Sequence, residues 1–151
     1  MVRATIIGTL AGLAAIPAAA ACAAPADGGR LLATVSRPVI ISLRADPAGG
    51  GLDSRSIVIS VHEFRPSANG PVQIVVEEAC DGSAKVLGRF GVYPHRAFSE
   101  DDPARAQHFR ARFAPGSCVA ASGTVRVRIV PSQGDGAGAL AKVDGRLAAD
   151  S

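Results

Sequence analysis

Three histidines, three cysteines and two acidic clusters are the residues of this chain with chemistry in them, and their spacing decides how much is usable. His62, His95 and His108 are the whole histidine complement. A blue-copper centre needs two histidines, a free cysteine and usually a weak methionine. The only methionine is Met1, and no histidine follows Cys118, so that pattern is missing. What remains is a three-histidine set, His62, His95 and His108, which would hold copper if the fold brought the rings together. Glu77-Glu78 and Glu100-Asp101-Asp102 offer paired carboxylates. The first pair are strand neighbours and so face opposite sides, and the second group falls in an expected loop. No nucleophile elbow is present. We assign no catalytic residue, expect no cofactor, and read the chain as non-enzymatic.

The cysteines point to a compartment. Met1-Val2-Arg3 is a short basic head, Ala4 to Ile16 is a nearly unbroken run of apolar and small residues, and Pro17 leads into the small-residue tract Ala18 to Ala24. This is the layout of a cleaved secretory signal peptide over residues 1–24. The apolar run is short of the roughly 20 residues that span a bilayer. Within the tract, Ala19-Ala20-Ala21-Cys22 is also a degenerate lipoprotein box, in which Cys22 would become the lipidated first residue. The protein is therefore expected in the periplasm or outside the cell, with a membrane tether only if Cys22 carries lipid. Cys80 and Cys118 are then an even pair where disulfides persist. Without a CxxC or a spaced pair of histidines, a disulfide is favoured over metal ligation. Closing a loop of that length stabilises the fold by about 4 kcal/mol in the chain-entropy picture.

The charge balance excludes one class of partner. The 16 Lys and Arg fall to 15 once Arg3 leaves with the leader, against 13 Asp and Glu. Basic residues are interleaved with acidic ones, so there is no nucleic-acid footprint.

Positioning falls to strands. Residues 25–37 read as a linker, and 38–149 as one domain. Pro38 to Arg44 is an apolar run that ends in Ala45-Asp46-Pro47 and three glycines. Ser56 to Phe64 places Ile57, Ile59 and Val61 on one face, with Val58, Ser60 and His62 on the other. The turn-rich Arg65 to Pro71 leads to the alternation Val72, Ile74, Val76. Ala84 to Tyr93 is a strand broken by Gly88 and Gly91, which suggests a bulge or a close backbone approach. Ser99 to Ala106 reads as a short surface helix or an acidic loop. Gln107 to Ala114 turns Phe109, Ala111 and Phe113 inward, and Thr124 to Pro131 does the same with Val125, Val127 and Ile129. A last strand covers Ala141 to Ala148. About seven short strands between Gly, Pro and Asp turns argue an all-β fold, an antiparallel β-sandwich.

Gly88-Arg89-Phe90-Gly91-Val92-Tyr93-Pro94-His95, followed by Val127-Arg128-Ile129-Val130-Pro131, resembles the C-terminal β-domain of the tyrosinase and polyphenol oxidase family. There a strand of the form Gly-x-Phe-x-x-Val-Pro-His precedes a late Val-x-Leu-Val-Pro strand and a short final one, here Val143 to Leu147. The likeness runs from about Val39 to Leu147. The six copper-binding histidines of that family's catalytic domain have no counterpart here. The resemblance therefore implies a non-catalytic partner that binds or shields a separate type-3 copper oxidase. The expected contact is the loop Pro94, His95, Arg96 and Phe98, with Phe98 as a plug for the substrate entrance. The other readings are a copper-binding module built on the three histidines, and a structural surface lipoprotein.

Overall fold

A computed structural model describes residues 29–45, 56–80 and 83–148. Residues 1–28, which include the expected leader and Cys22, lie outside the described residues, as do 46–55, 81–82 and 149–151. Two four-stranded antiparallel sheets pack face to face, in the orders β1-β8-β3-β6 and β2-β7-β4-β5. The strands are β1 (Leu31–Thr34), β2 (Val39–Ser42), β3 (Ser56–Arg65), β4 (Val72–Cys80), β5 (Ser83–Gly91), β6 (Gln107–Arg112), β7 (Thr124–Pro131) and β8 (Leu140–Ala148). Only β4 and β5 are sequence neighbours paired in one sheet; every other connection crosses between sheets.

The described residues form eight strands where seven were expected, because β1 lies inside the stretch read as a linker. It is only four residues long and buries Ala33 alone, so its alternation is too brief to stand out. The segment works as a stitch. Leu31 to Thr34 pair with β8, and Val39 to Ser42 pair with β7 in the other sheet. Arg44 then returns to β8, where its carbonyl accepts the Leu147 N–H at 2.8 Å. Gly145 of β8 makes room for the crossing: a side chain there would meet Leu43, Ile59 and Ile41 at 3.0–3.2 Å.

The opposite side is closed by aromatics. Phe90 of β5 and Phe109 of β6, strands at the edges of different sheets, stack at 5.0 Å and 21°. Gly88 permits this. Register shifts between Val76 and Glu77 of β4, so that Leu87 is an extra residue in β5, and the Phe90 ring lies back over Gly88. A Cβ on Gly88 would come within 2.6 Å of that ring. The expected bulge is present beside this glycine, at Leu87; what approaches Gly88 is the Phe90 ring and not another backbone, and Gly91 has nothing within 4 Å.

Between the closures lies a core of Val and Ile with Phe64, Phe98 and Phe113. A second bulge decides which aromatic enters it. Ile57, Ile59 and Val61 face inward, so strict alternation would bring Glu63 in next. The register of β3 against β8 slips between Val61 and Glu63. His62 is the extra residue, and Phe64 goes inside in place of the acid.

Two helical pieces remain. Pro103–Arg105 is a single 3-10 turn, shorter than the 99–106 element expected. Helix α1 (Cys118–Ser122) was not anticipated, although its signals are present: the Ser117 side chain accepts the Ala120 N–H, and Gly123 ends the helix with φ +63°.

Glu100 ties the loop after β5 to the β1–β8 edge, accepting from Lys142 Nζ at 2.7 Å and from Arg30 Nη1 at 3.2 Å. These bonds, Lys142 first, hold its carboxyl below the ordinary glutamate value. A lowered folded-state value means the contribution is present above the unfolded value near 4.5 and is lost as pH falls through the folded one. The stability gap between wild type and Glu100→Gln is therefore expected to close on acidification below about pH 4.5. A gap that widens there would contradict the assignment. Gly88→Ala should lower stability by about 1–3 kcal/mol through displacement of Phe90 from Phe109. An unchanged denaturation midpoint would show that the bulge has room to spare.

Candidate functional site

The residues with chemistry separate into three places. The first is the outer face of the β1-β8-β3-β6 sheet. His62 Nε2 stands 3.0 Å from Asp144 Oδ2, and His108 Nδ1 stands 2.9 Å from Ser60 Oγ. Ser60 lies in register between Asp144 and His108. Serine, histidine and aspartate are thus collected, but not in a nucleophile–base–carboxylate chain. The carboxylate orients His62, whereas the serine hydroxyl meets His108, and Ser60 itself is buried at 6% exposure. The bulge at His62 lets its ring reach Asp144, a pairing that alternation alone does not show.

The second place is the end of the sandwich where β4 begins. His95 is here, away from the other two histidines. Its Nε2 accepts the Val72 N–H at 3.4 Å, and its ring sits edge-on to Phe64 at 5.6 Å. Each of the three histidines has its own partner, and among the described residues they form no shared ligand cluster. Phe98 is also not where the loop reading put it. It is 9% exposed, its ring lies 6.1 Å from that of Phe64, and the two residues exchange backbone hydrogen bonds at 3.0 Å each way. The bulge that turned Phe64 inward supplies the apolar surface that draws Phe98 under the loop. Phe98 is part of the core and not the exposed aromatic of the loop.

The exposed aromatic is Tyr93, at 85%. Its backbone is held at both ends by one side chain: its N–H donates to Gln107 Oε1 at 3.2 Å, and its carbonyl accepts from Gln107 Nε2 at 2.6 Å. Tyr93, Pro94, Arg96 and Phe98 line an open hollow of about 360 Å³ together with Ala104 to Gln107. Pro94 and Arg96, both named from the sequence, are exposed there; Tyr93 and Gln107 are additions. The Pro–His exit from the strand drew notice to the loop, but nothing in the sequence marked Gln107 as its brace.

The third place is the other end of β4. Cys80 and Cys118 are joined as expected, with Cα atoms 6.1 Å apart, and the bond fastens α1 to the strand. Glu77 and Glu78 do face opposite sides. Glu77, 3% exposed, is on the outer face, where its Oε1 accepts from Arg128 Nη2 at 2.7 Å and Nε at 3.1 Å. Glu78 shares the side of Val72, Ile74 and Val76 and is 6% exposed. Its Oε1 has no hydrogen-bond partner, and the nearest cation, Lys85 Nζ, is 4.0 Å away on a largely exposed side chain. A carboxyl oxygen of Glu78 and the two cysteine sulfurs lie within 4.8 Å of one another. They are the single group of three or more potential metal ligands among the described residues.

No protein-family model, curated protein or solved structure matches this chain.

The Glu77–Arg128 pair makes an asymmetric prediction. Arg128→Ala leaves a buried carboxylate alone and should lower stability by about 2–3 kcal/mol. Glu77→Ala leaves an arginine able to reach water, so the loss should be smaller, on the order of 1 kcal/mol. Equal losses in urea denaturation would mean that the carboxylate is better solvated than its burial indicates.

Proposed function

We infer that this protein is a non-catalytic binding module whose contact surface is the hollow beside Tyr93. One observation carries the reading: a tyrosine 85% exposed, with its backbone held on both sides by Gln107. A large side chain in water on a braced backbone loses little further freedom when a partner covers it. Arg96 across the loop supplies a charge, and Tyr and Arg are the residue types that dominate binding energy at protein interfaces. The hollow is shallow and open, which suits a protruding side chain of another protein better than an enclosed small molecule.

The partner suggested by the resemblance is a type-3 copper oxidase, with the domain seated over its substrate entrance as a steric shield. In that arrangement Tyr93 takes the place first assigned to Phe98. Export, with or without lipid on Cys22, would put the module in the compartment of such an enzyme.

The test is capture of exported proteins on the immobilised domain, followed by diphenol oxidation measured with and without it. The expected result is a captured copper oxidase whose turnover falls when the domain is added. Tyr93→Ala should weaken capture at least tenfold with an unchanged melting temperature. Equal capture by wild type and Tyr93→Ala would remove the hollow as the contact surface. Capture of a protein without oxidase activity would keep the module and discard the shield.

A further inference from the structure

We propose that Glu78, Cys80 and Cys118 form a redox-gated site for a thiophilic divalent cation of the zinc class, closed in the disulfide form and opened by reduction. It lies at the end of β4 away from the Tyr93 hollow and does not depend on that reading.

Three observations converge. Glu78 and Cys80 are two residues apart on one strand and so share a side, and the disulfide brings Cys118 to the same point. A Glu78 carboxyl oxygen lies within 4.8 Å of both sulfurs. Glu78 is more than nine-tenths buried, and its Oε1 is unpartnered. A buried carboxylate oxygen without a hydrogen bond is unfavourable by about 1–3 kcal/mol or more, so it asks for a reason. The same strand shows the contrast: Glu77, equally buried, has a two-pronged arginine.

The disulfide sulfurs are poor ligands, because metal bonds are made by thiolates. A dithiol reductant changes that. It cleaves the Cys80–Cys118 bond by exchange, leaves as its own disulfide, and delivers two electrons and two protons to give two thiols. A zinc ion then displaces the two thiol protons and takes two thiolates and the Glu78 carboxylate, with water as fourth ligand from the partly exposed side of the cysteines. Bond lengths of 2.0–2.3 Å place tetrahedral ligand atoms about 3.5–3.8 Å apart. On reduction the two sulfurs part from bonding distance to this spacing, and the carboxylate, within 4.8 Å of them, closes by at most about 1.3 Å, which the side-chain torsions allow. Two thiolates and a carboxylate give the zinc site one net negative charge. The Lys85 ammonium, 4.0 Å from Glu78, offsets it.

The test uses the purified protein reduced with a phosphine, which becomes phosphine oxide and is itself a weak zinc ligand. Zinc uptake is measured by calorimetry, and Co2+ is added in parallel for its thiolate charge-transfer absorption. The reduced protein should keep its β-sheet circular dichroism, take up one equivalent of Zn2+, and show the cobalt band; the disulfide form should keep the sheet signal but take up no zinc and show no cobalt band. Glu78→Gln should weaken zinc binding at least tenfold, whereas Glu100→Gln should leave it unchanged. The proposal is overturned if the folded reduced protein takes up no zinc, or if Glu78→Gln binds as tightly as wild type. It is also overturned if the reduced chain unfolds and zinc does not restore the sheet signal.

Discussion

Strand β4 is the element on which the rest of the structure depends, because its two faces are given opposite tasks. It is an inner strand of its sheet, with β7 on one side and β5 on the other. Val72, Ile74 and Val76 enter the core, and the same row continues into Glu78 and Cys80. The other row, Gln73, Val75 and Glu77, faces outward, where Val75 is fully buried between Arg128 and Arg89 in register and Glu77 holds Arg128. A slip of one residue would put Glu77 in the core and turn Val76 to the outer face, away from the other sheet. Apolar burial thus fixes the register, and the register fixes which acid meets an arginine and which meets the disulfide.

The core between the sheets is made of small branched residues, with no tryptophan and few aromatics to span gaps. Such a core needs its open sides covered, and two different devices do it. The N-terminal segment weaves from β8 to β7 and back on one side; the Phe90–Phe109 stack bridges the edge strands on the other. The two ends of β4 carry the remaining features. The nine residues of β4 set them about 26 Å apart at 3.3 Å per residue, with the Tyr93 hollow at one end and the cysteines at the other.

Much of this was legible from period-two patterning. The inward residues of β6 and β7 are those that alternation selects, the opposite facing of Glu77 and Glu78 follows from adjacency, and two cysteines without other ligands pointed to one bond. The losses have physical causes. Strand β1 is too short for alternation to show, and α1 hid in five residues although Ser117 and Gly123 frame it. Phe98 was misplaced because a bulge at His62, invisible in a pattern of single residues, turns Phe64 inward and gives Phe98 something to pack on. The placing of Glu78 beside the disulfide was legible too: on a strand, the residue two before a bonded cysteine shares its side. Gln107 was not readable, since a glutamine that braces a loop 14 residues away looks like any exposed strand residue.

The β4 register and its apolar row keep the sandwich together, with the disulfide fastening one end. Peptide-resolved hydrogen–deuterium exchange of the oxidised and reduced protein tests this most directly. Reduction should speed exchange in the peptides around Glu78 to Lys85 and in Cys118 to Ser122. The amides of Ile57 to Val61, Val72 to Val76 and Val125 to Ile129 should stay as slow as before, and the Tyr93 to Gln107 loop should not change. Loss of protection throughout β3, β4 and β7 on reduction would show that the cross-link, and not the apolar row, holds the fold.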